Sequence, residues 1–255
     1  MPNLNIKDLD SAFLQRAQKI TSFNLSPADF ITLNHKSEIQ YLFHTHFFPK
    51  FDLTKTLKGA PDVNKLNQLI RALKSENAAN FSAMHNYNLK GVGPGETTLF
   101  FLCDKGHLGG GASAGMDIVI NNKGYEIKAG NLSRDNYFSG FKLGGTVPLD
   151  KIVSAATELR DRDKDIKAKG NERNGVNGTQ IKMIEERYKD EWVKNCVKPY
   201  IKLAHQYLTK NPLILMINTT PAARKGEVFF IGTIRQDQVE IDVISQGTVK
   251  PKIKF

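Results

Sequence analysis

Two short apolar runs on either side of an asparagine-containing turn decide the fold of this chain. The first run is Asp117–Ile120 (DIVI), the second is Tyr125–Lys128 (YEIK), and the turn between them is Asn121–Gly124 (NNKG). β-Branched and aromatic residues flanking such a turn are typical of a β-hairpin. The stretch therefore predicts an antiparallel pair of strands near the middle of the chain.

The position of the turn sets the register of this hairpin. If Asn122 and Lys123 form the tip of an even-numbered turn, Val119 lies opposite Glu126. An odd-numbered loop with a bulge at Gly124 remains an alternative, and it would break this register.

In the even-numbered register, three ionisable side chains share one face of the sheet. Successive side chains on a strand alternate between faces, which places Asp117, Glu126 and Lys128 together and the apolar residues on the opposite face. Carboxylate oxygens suit Mg²⁺ or Mn²⁺. Such an ion lowers the pKa of a bound water and stabilises charge on a phosphoryl group, and a neighbouring lysine can orient or deprotonate that water. The arrangement is suited to hydrolysis of a phosphodiester.

A glycine-flanked acid, Gly93–Glu96 (GPGE), precedes the hairpin. The glycines leave room for the backbone to approach a phosphate or a metal closely. Glu96 begins either a helix or, because Thr97–Phe101 is also rich in β-forming residues, a strand.

Together these residues resemble a known family. Asp117 followed by Glu126-Ile127-Lys128 is similar to the D…(D/E)-x-K signature of the PD-(D/E)xK nuclease superfamily, most of all to members encoded by tailed phages. Glu96 resembles the acid that many members carry upstream at the start of a helix. The chain departs from the pattern at Met116, where many members have proline.

The resemblance implies a fold and a set of roles. It implies a restriction-endonuclease-like α/β fold, in which helices flank a mixed β-sheet, and a Mg²⁺- or Mn²⁺-dependent nuclease that hydrolyses DNA. Asp117 and Glu126 would hold the metal with the Ile127 carbonyl, Glu96 would hold a second metal or a metal-bound water, and Lys128 would position the nucleophile.

Two other interpretations stay open at the level of sequence. A Glu-x-Lys pair on a hairpin is also common as a solvated strand face. The chain could also be a non-catalytic nucleic-acid-binding or virion-associated structural protein on a nuclease-like fold. RNA is not excluded as the nucleic acid, and neither is a homodimer.

Composition points to a polyanionic partner. The chain has 255 residues, of which 40% are hydrophobic and 24% charged, and its formal net charge is +10. Excess lysine and arginine favours binding to phosphates, because counterions are released. Downstream of the hairpin, Arg134 and Lys142 alternate with aromatic residues and glycines, which predicts either contacts with a nucleic acid or a loop whose aromatic residues fill the core.

The chain also lacks the signals of secretion or membrane insertion. It contains two cysteines, too few for a disulfide framework. The N-terminus has no apolar signal-peptide core, and the apolar run 212–217 is too short to cross a bilayer. We expect a cytoplasmic protein without membrane contacts, in the host cell if the chain is phage-encoded.

The pattern of elements predicts three regions. Residues 1–87 form a helical N-terminal subdomain, 88–245 the nuclease core, and 246–255 a basic tail. Within the core, a long helix from Thr179 to Lys210 is kinked or split by Pro199. Residues 227–234 and 238–245 are predicted to pair as a second hairpin.

Overall fold

The computed structural model describes residues 44, 47–86, 93–104, 106–111, 116–143, 149–170, 175–220, 224–245 and 247–255. Side chains are described for all of these except 107 and 109–111. The chain divides into two compact units, one holding residues 1–129 and 213–232, the other 130–212 and 233–255. Much of the predicted helical N-terminal subdomain, including residues 1–43, lies outside the described residues.

Among the described residues, helices and strands come in successive groups along the chain. The helices are α1 (Val63–Glu76), α2 (Ala78–His85), α3 (Glu96–Leu102), α4 (Asp150–Arg162), α5 (Lys164–Lys167), α6 (Gly178–Arg187), α7 (Lys189–Trp192) and α8 (Lys198–Lys210). The strands are β1 (Gly106–Gly111), β2 (Met116–Ile120), β3 (Lys123–Leu132), β4 (Tyr137–Ser139), β5 (Ile214–Thr220), β6 (Val228–Gly232), β7 (Val239–Ser245) and β8 (Thr248–Lys254).

Capping residues explain where the helices of the first unit begin. The Asp62 side chain accepts a hydrogen bond from the backbone N–H of Lys65 and starts α1. The Asn77 side chain does the same for Asn80 at the start of α2. Helix α1 buries the stripe Leu66, Leu69, Ile70 and Leu73. Their spacing of three and four residues places them on one face of the helix.

Antiparallel pairing orders the strands of the first unit. Strand β1 pairs with β2, β2 with β3, and β5 with β6. Strand β3 also pairs with β5, and the N–H of Glu126 donates to the carbonyl of Leu213 at 2.9 Å. Helices α1, α2 and α3 contribute to one hydrophobic core with Ile118, Ile120, Tyr125 and Ile127. The fully buried Cys103 belongs to the same core.

The second unit is also built on antiparallel pairing between strands. Strand β4 pairs with the last residues of β3 and with β8, and β8 pairs with β7, all antiparallel. Helices α6 and α8 contact β7, and α4 contacts β8. Trp192 and Cys196 are almost completely buried among these elements. The protein is thus an α/β protein with a mixed, mostly antiparallel sheet flanked by helices, which confirms the fold class at that level.

Two expectations about the C-terminal strands are wrong. Strand β6 pairs with β5, and β7 pairs with β8, so residues 227–234 and 238–245 do not form a hairpin with each other. Residues 246–255 are not a tail, because 248–254 form β8. The buried Val249, Pro251 and Ile253 alternate there with three lysines.

The predicted long helix is split. Tyr188, with φ −131° and ψ 36°, separates α6 from α7, and a π-helical turn at Val193–Val197 directly precedes α8. Pro199 has no N–H to donate into the preceding turn, and wider π turns accommodate such a lost bond. The interruption expected at Pro199 is therefore present, and Tyr188 adds a second one. None of the described helices is both long enough and apolar enough to cross a membrane.

Candidate active site

The β2–β3 hairpin carries three of the four side chains predicted to be catalytic, Asp117, Glu126 and Lys128. Its turn is Asn121-Asn122, with φ of 51° and 61°, so Val119 lies opposite Gly124 and not opposite Glu126. The register inferred from the sequence is therefore wrong. A two-residue hairpin turn of this kind needs positive φ at both positions, which asparagine tolerates far better than lysine.

The shift in register does not change which side chains share a face. The observed pairing differs from the expected one by two residues. Because side chains return to the same face every second residue, a shift of two leaves each side chain on its expected face. Ile118, Tyr125 and Ile127 are buried, whereas Asp117, Glu126 and Lys128 are half-buried. This alternation places the three ionisable groups on the face opposite the apolar residues.

Two short contacts hold these groups. The Lys128 ammonium lies 2.6 Å from Glu126 Oε1, and the two side chains are 14% and 12% exposed. The backbone N–H of Ile127 donates to Asp117 Oδ2 at 2.7 Å. The hydrogen bond fixes the Asp117 carboxylate across the hairpin. Coordination by the Ile127 carbonyl remains a prediction.

Glu96 joins the site from helix α3. It is the first residue of that helix, so the helical alternative for this segment is confirmed. Gly95 precedes it with φ 88°, a conformation that L side chains rarely adopt, and a Cβ there would overlap the Ile217 side chain. The backbone N–H of Gly93 donates to Glu96 Oε1 at 2.5 Å. The glycines therefore position Glu96 by both backbone geometry and hydrogen bonding.

Burial and crowding make Glu96 and Asp117 weaker acids than usual. Burial, followed by the nearby Asp117 carboxylate, raises the pKa of Glu96 to about 8, although the Gly93 hydrogen bond opposes the shift. Burial and then Glu126 also raise the pKa of Asp117. Glu126 and Lys128 act on both acids, so the four side chains lie within electrostatic reach of one another. Carboxyl groups with raised pKa values are common at functional sites.

The chemistry of these groups fits a hard divalent cation. Carboxylate oxygens are the ligands that Mg²⁺ and Mn²⁺ prefer, and a cation would relieve the crowding that weakens Glu96 and Asp117. Among the residues that the structure describes, no three His, Cys, Asp or Glu side chains already form a metal-binding group. Asp117 is bonded to Ile127, and Glu126 is paired with Lys128.

The two residues predicted to contact nucleic acid lie in the second unit. Arg134 and Lys142 are both exposed. Each lies two residues from a position with positive φ, Asn136 at 59° and Gly140 at 84°, and Arg134 belongs to the turn between β3 and β4. Their role in binding remains a prediction.

One buried side chain behind Glu96 carried no signal in the sequence. His85, at the end of α2, is 1% exposed, and its carbonyl accepts a hydrogen bond from Gly95 at 2.7 Å. Burial and then Lys225 lower the pKa of His85 to about 4. A single histidine in a helix predicts nothing about such a contact, which depends on how the chain folds.

Comparisons of the chain with protein-family models, with curated proteins and with solved structures returned no match.

Proposed function

We propose that this protein is a metal-dependent nuclease that hydrolyses DNA phosphodiester bonds on a restriction-endonuclease-like core. The observation that carries the proposal is the meeting of Glu96 with Asp117, Glu126 and Lys128 at one partly buried place, where burial and mutual repulsion raise the pKa of two of the acids. The resemblance of these four residues to the PD-(D/E)xK pattern supports the same reaction.

Three carboxylates would hold Mg²⁺ or Mn²⁺. Asp117 and Glu126 would be the principal ligands together with the Ile127 carbonyl, and Glu96 would hold a second ion or a metal-bound water. When bound, the ion would supply a more acidic water and stabilise negative charge on the phosphate.

Lys128 would orient the attacking water. Its ammonium group lies 2.6 Å from Glu126 Oε1, and an ammonium donates hydrogen bonds to oxygen acceptors such as a water or a phosphate oxygen. A positive charge fixed beside the reacting phosphate also stabilises the charge that develops there. Glu126 would therefore position Lys128 in addition to binding metal.

Glu96 would couple the site to pH. With a pKa of about 8, its carboxyl group holds a proton at neutral pH when no cation is near. Ionisation adds a negative charge that favours binding of a divalent cation. We expect cleavage at a fixed, subsaturating Mg²⁺ concentration to increase as pH rises toward 8.

The decisive experiment compares two lysines of the same hairpin. Supercoiled plasmid and linear duplex DNA are incubated with wild type, Lys128→Ala and Lys123→Ala, in Mg²⁺, Mn²⁺ or EDTA. Lys123 is exposed beside the turn and serves as the matched control. We expect metal-dependent cleavage by wild type and Lys123→Ala, and a loss of at least about 100-fold in Lys128→Ala, the lower range for general acid–base groups.

Other outcomes would reject the proposal. Cleavage by Lys128→Ala at the wild-type rate would remove the lysine from the mechanism. DNA binding by wild type without metal-dependent cleavage would instead support a non-catalytic nucleic-acid-binding or virion-associated structural protein. Parallel assays on RNA and measurements of molar mass in solution address the substrate and the homodimer.

A further inference from the structure

A second cluster of charged side chains in the first unit surrounds a single buried acid. Glu227, immediately before β6, has a side chain that is 3% exposed. Arg71 and Lys74 approach it from α1, and Arg224 and Lys225 precede it in the chain. We call these five residues the Glu227 cluster.

The carboxylate holds two guanidinium groups in place. Arg71 donates from Nε to Glu227 Oε1 at 2.8 Å and from a terminal nitrogen to Oε2 at 3.1 Å. Arg224 donates from Nε to Oε2 at 3.3 Å. Hydrogen bonding by Arg71 is the main reason that the pKa of Glu227 is lowered. A two-pronged contact of this kind fixes the plane of the guanidinium.

The cluster keeps most of its positive charge available to solvent. Arg71 and Arg224 bond to the carboxylate, Lys74 interacts with it electrostatically, and the Arg71 and Arg224 side chains remain 61% and 50% exposed. Each guanidinium has donors beyond those facing Glu227. Lys74 lies three residues after Arg71, so both occur on the same side of α1. Such a surface attracts an anion with several charges.

The cluster lies next to the loop that presents Glu96. A Cβ on Gly226 would lie 3.2 Å from Nδ1 of His85, so the His85 ring packs against the turn that carries Arg224 and Glu227. The His85 carbonyl accepts the hydrogen bond from Gly95, the residue before Glu96. His85 therefore contacts the cluster on one side and the Glu96 loop on the other.

We propose that the Glu227 cluster binds neighbouring phosphates of a DNA strand and so places the strand beside the candidate active site. Guanidinium groups fixed by a carboxylate match the oxygen geometry of phosphate, and lysines add charge without demanding a particular base. The choice of DNA as the ligand rests on the proposed nuclease function, whereas the phosphate-binding role rests on the geometry of the cluster.

The test measures binding without catalysis. Fluorescence anisotropy with a labelled duplex of about 20 base pairs in EDTA, a length that covers two helical turns, is recorded over a range of KCl concentrations. The variant is Arg71→Gln with Arg224→Gln. The control is Arg162→Gln with Arg187→Gln, which removes the same charge from arginines paired with Glu191 and Asp163.

We expect the cluster variant to bind at least about tenfold more weakly, with the slope of log K against log salt reduced in magnitude by about 2, because each lost phosphate contact contributes about 0.9. The control should retain the wild-type slope. An unchanged affinity and slope in a folded cluster variant would overturn the proposal.

A second variant is needed in case the arginine variant does not fold, because removing both arginines leaves Glu227 buried without these two partners. Lys74→Gln with Lys225→Gln keeps both ion pairs, and melting curves show which proteins are folded. If the arginine variant does not melt cooperatively, the lysine variant decides: a weaker, less salt-sensitive complex supports the proposal, and wild-type binding overturns it.

The same proteins separate this proposal from the proposed function. If wild type does not cleave DNA but binding depends on the cluster, the nuclease function fails and the phosphate site stands. If wild type cleaves and the cluster variants bind as well as wild type, the nuclease stands and the phosphate site fails.

Discussion

Two buried glutamates in the same unit have pKa values shifted in opposite directions. Glu96 is 5% exposed and Glu227 is 2% exposed, so both have lost nearly all contact with water. Burial raises the pKa of Glu96 to about 8, and Asp117 adds to the shift. The pKa of Glu227 is lowered, because Arg71 and Arg224 bond to it.

The difference shows that the neighbours of a buried glutamate decide the direction in which its pKa shifts. Three guanidinium N–H groups satisfy Glu227, so its charge is balanced within the protein. The described contacts of Glu96 include one backbone donor, and two of its neighbours are acids. A buried carboxyl group of the second kind gains stability when a cation arrives, which is a property of binding sites.

The largest effect should be the loss of cleavage when an acid is removed from the site that contains Glu96. Asp117→Asn keeps the size of the side chain but takes one charge from the expected metal site. Loss of several kcal/mol of charge stabilisation corresponds to a fall in cleavage of about 10³-fold. Stability should hold or rise, since repulsion of Glu96 and Glu126 is reduced. Plasmid nicking in Mg²⁺ and melting temperatures with and without Mg²⁺ measure both; nicking at the wild-type rate would contradict the site.

In the Glu227 cluster, Glu227→Gln should lower the free energy of unfolding. The variant loses charged hydrogen bonds to Arg71 and Arg224, for an effect of about 2 kcal/mol. Glu186→Gln is the control, because Glu186 is exposed and its substitution should change stability by less than about 0.5 kcal/mol. Urea unfolding at pH 7 measures both variants. Equal stability of the two would show that the guanidinium contacts contribute nothing.

The same substitution at Glu96 should act in the opposite direction. A pKa raised from 4.5 to about 8 favours folding at low pH, and that contribution is lost as pH rises through about 8. In EDTA, Glu96→Gln should therefore be more stable than wild type at pH 8.5, by about 1 kcal/mol or about 2–4 °C in Tm, and equal to it near pH 5. Melting curves across this range test the sign; a variant less stable at pH 8.5 would mean that ionised Glu96 is well accommodated.

The smallest effect concerns the turn that sets the acids in register. Asn122 has φ 61°, a conformation that glycine adopts without strain, and Asn-Gly is the favoured pair for such a turn. Asn122→Gly should raise the free energy of unfolding by about 0.5 kcal/mol and leave cleavage unchanged. A loss of cleavage in this variant would show that the hairpin register is not the one described.

The local features of the acidic site could be predicted from the sequence, and its register could not. Alternation along two strands identifies the shared face of Asp117 and Glu126 whichever even-numbered turn forms. The choice between Asn121-Asn122 and Asn122-Lys123 as the tip depends on which residues accept positive φ. That preference was present in the sequence and favours the observed turn.

The Glu227 cluster shows what could not be predicted. Arg71 and Glu227 are 156 residues apart, and no local pattern brings them together. Strand β8 differs, because its alternation of lysines with Val249, Pro251 and Ile253 indicates a strand in the sequence itself. The prediction of a tail relied on the positive charge of the lysines and did not take their alternation with apolar residues into account.

The two cysteines of the wild-type chain allow local unfolding to be measured by thiol labelling. Cys103 and Cys196 are fully buried, and each belongs to a different unit. A thiol reagent modifies such a residue only when the surrounding structure opens, so the labelling rate of each cysteine measures the opening of its own unit. Timed labelling followed by mass spectrometry of the peptides would give both rates without an added tag. Added Mg²⁺ should then slow the modification of Cys103, which shares a unit with the candidate site, more than that of Cys196.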